Sequence, residues 1–254
     1  MTAPEPARPV AVVTGASAGI GAATARALAA RGFLTVLGAR RLDRLREVAA
    51  ETGGVALPLD VRDAVSVEAF AAEVGRTLDR IDLLVNNAGI ALGQDPVEAI
   101  RDEDVVAMWE TNVLGVLRVT RAALPLLRRA ERGHVINIGS VAGFDNYRGG
   151  AGYTATKHAV RALTQTLRLE LNGEPIRVTE IAPGMTETEF AMVRFRGDRE
   201  RAAAVYTGVT PLTGEDIAEC VVFAATRPPH VDIDYMVIRP VAQAASWLVA
   251  RDIR

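Results

Sequence analysis

Seven short apolar runs alternate with amphipathic stretches along almost the whole chain, and this rhythm limits the fold more than any single motif. Pro9–Thr14, Leu34–Gly38, Val55–Leu59, Ile81–Asn86, His134–Ile138, Arg177–Ile181 and Val231–Ile238 read as strands. Helical spacing fills Gly19–Arg31, Leu42–Thr52, Val65–Leu78, a long Asp102–Arg129, Gly152–Leu171 and Glu215–Thr226. The first strands are unbroken Val, Leu and Ile, as expected where a parallel sheet is covered on both faces. Connectors are short, and no Pro/Gly/Ser-rich linker divides the chain. The expectation is one doubly wound α/β domain over residues 10–254, with a seven-stranded, mostly parallel sheet and helices on both faces. Residues 1–9 hold three prolines and no apolar run, and read as a flexible leader rather than a signal peptide. Residues 186–210 are polar, arginine-rich and without strand period, a length that inside a compact domain suggests a substrate lid.

Charge and cysteine usage exclude several function classes. A net charge of −2 gives no footprint for nucleic acid or an anionic membrane, and no apolar stretch approaches a membrane span. Cys220 is the single cysteine, which rules out an intrachain disulfide and a multi-cysteine metal site. These features predict a soluble protein of the reducing cytoplasm, with no metal site.

The first strand, Val10 to Thr14, runs through Gly15, Ala16, Ser17, Ala18, Gly19, Ile20 and Gly21 into a helix. Glycines at such a turn let the backbone approach a pyrophosphate, which then rests on helix N–H groups. A tight strand–helix turn needs glycine for geometry alone, so it is the placement after the first strand of an α/β chain that points to a Rossmann-type dinucleotide site. At the end of the second strand stand Arg40 and Arg41, with no acid before Asp43. A carboxylate there would suit NAD, whereas arginine accommodates the extra phosphate of NADP. The position thus favours NADP, with Ser17 adding a hydroxyl, although arginines opening a solvated helix would look the same.

Lys157 is the only lysine among 29 basic residues, and it follows Tyr153 by one helical turn. A compact ammonium is not replaceable by a guanidinium fork, and beside a phenol it favours the phenolate, making a general acid/base. An aromatic anchoring a surface cation would give the same pair, and the rest of the chain decides between them.

Together Thr14-Gly-x-x-x-Gly-x-Gly21, Asp60-Val61, Asn86-Asn-Ala-Gly89, Asn112, Ser140, Tyr153-x-x-x-Lys157 and Pro183-Gly184 resemble the short-chain dehydrogenase/reductase family over nearly the whole chain. The resemblance implies that Asp60 and Val61 flank an adenine and that Asn87, Ala88 and Gly89 wall the adenosine half. Pro183, Gly184 and Thr188 would hold the nicotinamide carboxamide. Ser140 would donate to the substrate oxygen, Tyr153 would exchange its proton, Lys157 would hold the ribose and lower the phenol's pKa, and Asn112 would place a relay water. Many NADP-using relatives carry a basic residue where this chain has Ala18, which throws the 2′-phosphate onto Arg40 and Arg41. The stretch from Pro183 to Asp198 is similar to the branch that oxidises 3-hydroxy acids such as serine and L-allo-threonine. A carboxylate there would want an arginine, with Arg148, Arg194 and Arg196 as candidates and Tyr147 nearby. A carbonyl reductase of larger ketones or aldehydes, and a dinucleotide-binding sensor without chemistry, are the other readings. The resemblance further implies a homotetramer, or a dimer, with the apolar run 241–250 buried between subunits.

Overall fold

Strands β1 (Val10–Thr14), β2 (Leu34–Ala39), β3 (Val55–Pro58), β4 (Leu83–Asn86), β5 (Gly133–Ile138), β6 (Ile176–Pro183) and β7 (Tyr235–Ile238) form one sheet in the order 3-2-1-4-5-6-7. Every neighbouring pair is parallel, so the anticipated mostly parallel sheet is wholly so. The computed structural model describes residues 8–252, and residues 1–7 of the proposed leader lie outside them. Arg8 is tied back to the body through Gly32 O and Phe33 O, at 3.1 and 2.8 Å.

Alternation along β1 builds the two layers. Ala11 and Val13 pack with helices α1 (Gly19–Ala30), α2 (Leu42–Thr52) and, at the end of the chain, Gly214–Ala225. Val10 and Val12 pack on the other face against α3 (Ala64–Leu78) and the long helix that follows β4. The strand order reverses between β1 and β4, so their loops part and open a crevice at the carboxyl edge.

Three departures from the sequence reading have local causes. The long helix is not uniform: α4 (Asp102–Trp109) and α5 (Gly115–Leu127) are joined by a π-helical turn, Glu110–Leu114, which centres on buried Asn112. The last strand begins at Tyr235 rather than Val231, because the Asp232 carboxylate, not a backbone carbonyl, accepts from Val178 N at 3.2 Å. Residues 186–210, to which the sequence reading assigned no helix, hold two short ones, α7 (Phe190–Arg194) and α8 (Arg199–Ala204). The remaining helices are α6 (Ala151–Glu170) and α9, the Gly214–Ala225 segment above.

Candidate active site

The crevice is a cleft of about 920 Å³ running from Arg40 and Asp60 at one end to Tyr153 and Arg194 at the other. At the first end, β1 turns through Gly15 and Gly19, both in the left-handed region that disfavours any side chain (φ +66° and +53°). Helix α1 opens there without a side-chain cap, which leaves its first N–H groups for an anion. A Cβ on Gly21 would come within 2.4 Å of Asn87 Nδ2 and 2.6 Å of Gly15 O, so helix and turn meet only through glycine. Thr14 and Asn87 stitch the two sides of the crevice. Thr14 Oγ1 accepts from Asn87 N and Ala88 N at 3.0 Å each, and Asn87 Nδ2 donates to Thr14 O at 2.9 Å.

The two arginines after β2 are not equivalent. Arg40 is exposed and has no hydrogen-bond or ion-pair partner among the described residues. Arg41 is engaged: its Nε donates to Ser17 Oγ at 3.3 Å and its Nη1 meets Glu189 Oε2 at 2.6 Å. Arg44 takes the other oxygen of the same carboxylate at 2.6 Å. No spacing in the sequence puts Glu189 there; the loop after β6 delivers it. Asp60 is also occupied, bound side-on by Arg62 at 3.0 and 2.7 Å, and that guanidinium holds its carboxyl below the usual range. Val61 is buried against Gly115, while Ile20, Ala88 and Gly89 line the cleft.

At the second end, α6 presents Tyr153 and Lys157 one turn apart. Lys157 Nζ donates to Ile138 O at 2.9 Å, and burial pulls the ammonium down to about 8. Ser140 sits just past β5, where its Oγ accepts from Ala142 N at 3.1 Å and its hydroxyl lies against the Tyr153 phenol. Burial pushes that phenol up, and the cation opposing it most is Arg194, not Lys157. Arg194 Cζ lies 5.1 Å from the ring centroid, whereas Lys157 Nζ, drawn to Ile138 O, lies at 5.8 Å. Arg194 thus joins Lys157 beside the phenol, a neighbour that the sequence reading did not name for this role. Asn112 Oδ1 accepts from Ile90 N at 2.8 Å, and its amide donates to Ile90 O and Thr156 Oγ1 at 2.8 and 3.0 Å. The amide thus clamps Ile90 with one hydrogen and ties to α6 through Thr156 with the other. Pro183 and Gly184 lie at the end of β6, and Thr188 bears on the glycine turn: a Cβ on Gly19 would be 3.2 Å from its side chain.

Of the arginines considered for a carboxylate, Arg194 is inside the cleft. Its Nη2 donates to Tyr147 OH at 3.0 Å, its plane lies near the Tyr147, Tyr153 and Phe190 rings, and its Nε is buried with no partner among the described residues. Arg148 lines the cleft but is exposed. Arg196 is turned away, paired with buried Asp104. The C-terminal segment adds a wall to the site: Gln243, Ser246, Trp247 and Arg251 line the cleft. Gln243 Oε1 accepts from Met185 N at 2.8 Å, and Asp145 accepts from Ser246 N at 2.6 Å. Val241 stays fully exposed.

The profile described as short chain dehydrogenase matches residues 9–199. The chain belongs to the short-chain dehydrogenase family. It is 43% identical over 242 residues to an NADP-dependent 3-hydroxy acid dehydrogenase of Salmonella typhimurium, covering 94% of this chain and 98% of that one. It is 40% identical over 249 residues to sulfoacetaldehyde reductase 2 of Chromohalobacter salexigens, covering 96% and 99%. The closed form of a serine dehydrogenase complexed with NADP+ superposes with a TM-score of 0.91 at 40% identity, covering 95% and 99%. This short-chain dehydrogenase is an oxidoreductase acting on a CH–OH group, and among its described residues no helix is long and apolar enough to cross a membrane. Because Gly21 touches both Asn87 and the Gly15 carbonyl, Gly21→Ala is expected to cost about 1–3 kcal/mol by overpacking and to weaken dinucleotide binding by displacing Asn87. Thermal denaturation together with a dinucleotide titration checks both effects.

Proposed function

We propose that this dehydrogenase is NADP-dependent and interconverts small 3-hydroxy acids with their 3-oxo counterparts. The observation that carries the substrate class is the Arg194 guanidinium, lodged against the Tyr153 ring with a buried, unpartnered Nε. A guanidinium held at an aromatic wall beside the reacting phenol is a seat for a planar anion. The 3-hydroxy acids and sulfoacetaldehyde named for two of the relatives share one layout: an anionic group a single carbon away from the reacting carbon. Arg194 stands where that group would lie, and Arg148 is placed to assist at the mouth.

The residues present fit NADP. The uncapped start of α1 and the glycine turn suit a pyrophosphate, and Arg40, with Arg41 once released from Glu189, suits the 2′-phosphate. Asn87, Ala88, Gly89, Asp60 and Val61 border the adenosine side, while Pro183, Gly184 and Thr188 border the nicotinamide side. The chemistry a bound NADP supplies is hydride acceptance in one direction and donation in the other. Tyr153 takes the hydroxyl proton as the carbinol is oxidised, or returns it in reduction. Ser140 donates to the same oxygen and holds it against the phenol. Lys157 and Arg194 supply the positive field that favours the phenolate. Asn112 fixes the Ile90 backbone beside the lysine rather than meeting substrate.

We place residues 186–210 as the lid of this site, because α7 carries Arg194 and the preceding loop carries Thr188 and Glu189. We assign the enzyme to the cytoplasm and expect a homotetramer, with Val106, Trp109 and Leu117 exposed along α4 and α5 as an apolar contact. Sedimentation velocity showing a monomer at micromolar concentration would reject that assembly.

Tyr153→Phe is expected to abolish turnover while leaving NADP+ affinity nearly intact, as read by steady-state assay and cofactor titration. Arg194→Gln is expected to lower kcat/KM for a 3-hydroxy acid such as L-allo-threonine by roughly ten- to a hundredfold, the value of a charge-assisted hydrogen bond. Turnover of the methyl ester should change far less. Equal losses on acid and ester, or a wild-type preference for the ester, would remove the carboxylate seat and favour a reductase of larger carbonyl compounds.

A further inference from the structure

A second titratable group lies behind the reacting lysine, and the reaction scheme leaves it unused. Glu180, on β6, is 2% exposed, and its Oε1 is buried with no hydrogen-bond partner among the described residues. Such an oxygen is costly in a protein interior unless a charge nearby compensates. The carboxyl is pressed against the turn that carries Ser140: a Cβ on Gly139 would lie 2.2 Å from Oε1, and one on Gly143 would lie 3.8 Å away. Lys157 reaches the same turn, with Nζ on Ile138 O at 2.9 Å. Ammonium and carboxyl therefore converge on one peptide, Ile138–Gly139.

The neighbours of Glu180 single out Lys157 as its counter-charge. From α6 it is faced by Lys157, Arg161 and Arg168, and from β7 by Tyr235, a phenol pushed up to about 12. From β5 its register partner is the neutral Asn137. The short turn Val141–Gly143 offers no charge. Arg161 is committed to aromatic faces, 4.5 Å from the Tyr235 centroid and 5.3 Å from that of Phe144. Arg168 is committed to Val178 O and Asp234 O, at 2.7 and 2.8 Å. Lys157 has one carbonyl, with Tyr153 on its own helix and the neutral Asn112 near Gly89 as its other neighbours.

We propose that Glu180 is a positioning residue, acting through Lys157: its carboxylate keeps the buried amine protonated and holds it on Ile138 O, across the glycine turn from the phenol. The proposal rests on the assignment of Lys157 to the reaction. The sign follows from the surroundings. Burial favours the neutral amine, and the Glu180 carboxylate opposes it. Removing that charge lets the ammonium lose its proton at lower pH, after which Tyr153 loses one of its two cations.

The chain offers a direct test, because Lys157 is its only lysine. Enzyme labelled with [ε-¹³C]lysine gives one lysine side-chain signal from the full-length protein, free or saturated with NADP+. In the wild type that signal is expected to move twice with pH, once as Glu180 titrates and once as Lys157 itself does. Glu180→Gln should remove the first step and lower the second by about one pH unit, with the alkaline limb of kcat following it. Glu180→Asp, which keeps the charge, should retain both steps. A step that persists in Glu180→Gln belongs to another group, and counts against the proposal if it is the only early step in the wild type. An unchanged lysine titration in Glu180→Gln would overturn the proposal, whatever the loss of rate. If Glu180→Gln does not fold, the wild-type and Glu180→Asp titrations decide it: a single lysine step in both overturns it. The signal needs no turnover, so a coupled lysine in an enzyme inactive on every hydroxy acid would sink the substrate reading and leave this one standing.

Discussion

Lys157 is 7% exposed, and holding an ammonium charged with so little water is the demand that much of the site answers. Its one hydrogen bond goes to a carbonyl at the end of β5, which requires α6 to start close against that strand. The approach is made possible by small residues. A Cβ on Gly143 would lie 3.0 Å from Lys157 O, and one on Gly152 would strike Met108 and Ile100. Asn112, in the neighbouring π-helical turn, clamps both the N–H and the C=O of Ile90 and reaches Thr156 on α6. The chemistry of one cation thus reaches into helix geometry, glycine placement and the buried acid behind it.

The sheet was legible because parallel strands buried on both faces leave continuous apolar runs that no other element here imitates. The glycine turn, Ser140, Tyr153 and Lys157 were legible for a different reason: each depends on residues close in sequence or on a fixed place at a strand end. What escaped depends on partners far along the chain. Nothing near Arg41 foretells that Glu189 will take it, and nothing near Val178 foretells that Asp232 will delay the start of β7. Tyr153 has its nearest cation one turn away in sequence but its stronger electrostatic partner on α7.

The C-terminal segment shows the limit of composition as a guide. Its apolar composition does not foretell that Trp247, 67% exposed in the single chain, forms part of the cleft wall. Its hold on the rest of the chain comes from polar groups: Gln243 on Met185, Ser246 on Asp145, and Asp252 N on Gly208 O at 2.7 Å. Hydrophobicity alone carries no information about such attachments, since each is a single donor meeting a single acceptor.

The bridge that Glu189 makes to Arg41 and Arg44 spans the mouth of the crevice, and Thr188 rests beside the glycine turn. The loop after β6 is thus tied beside the glycine turn by two ion pairs that share one carboxylate. All three side chains are about half exposed, so dissolved salt screens their attraction. The latch on this loop is therefore electrostatic rather than apolar, and it slackens as salt is added instead of tightening as an apolar contact would.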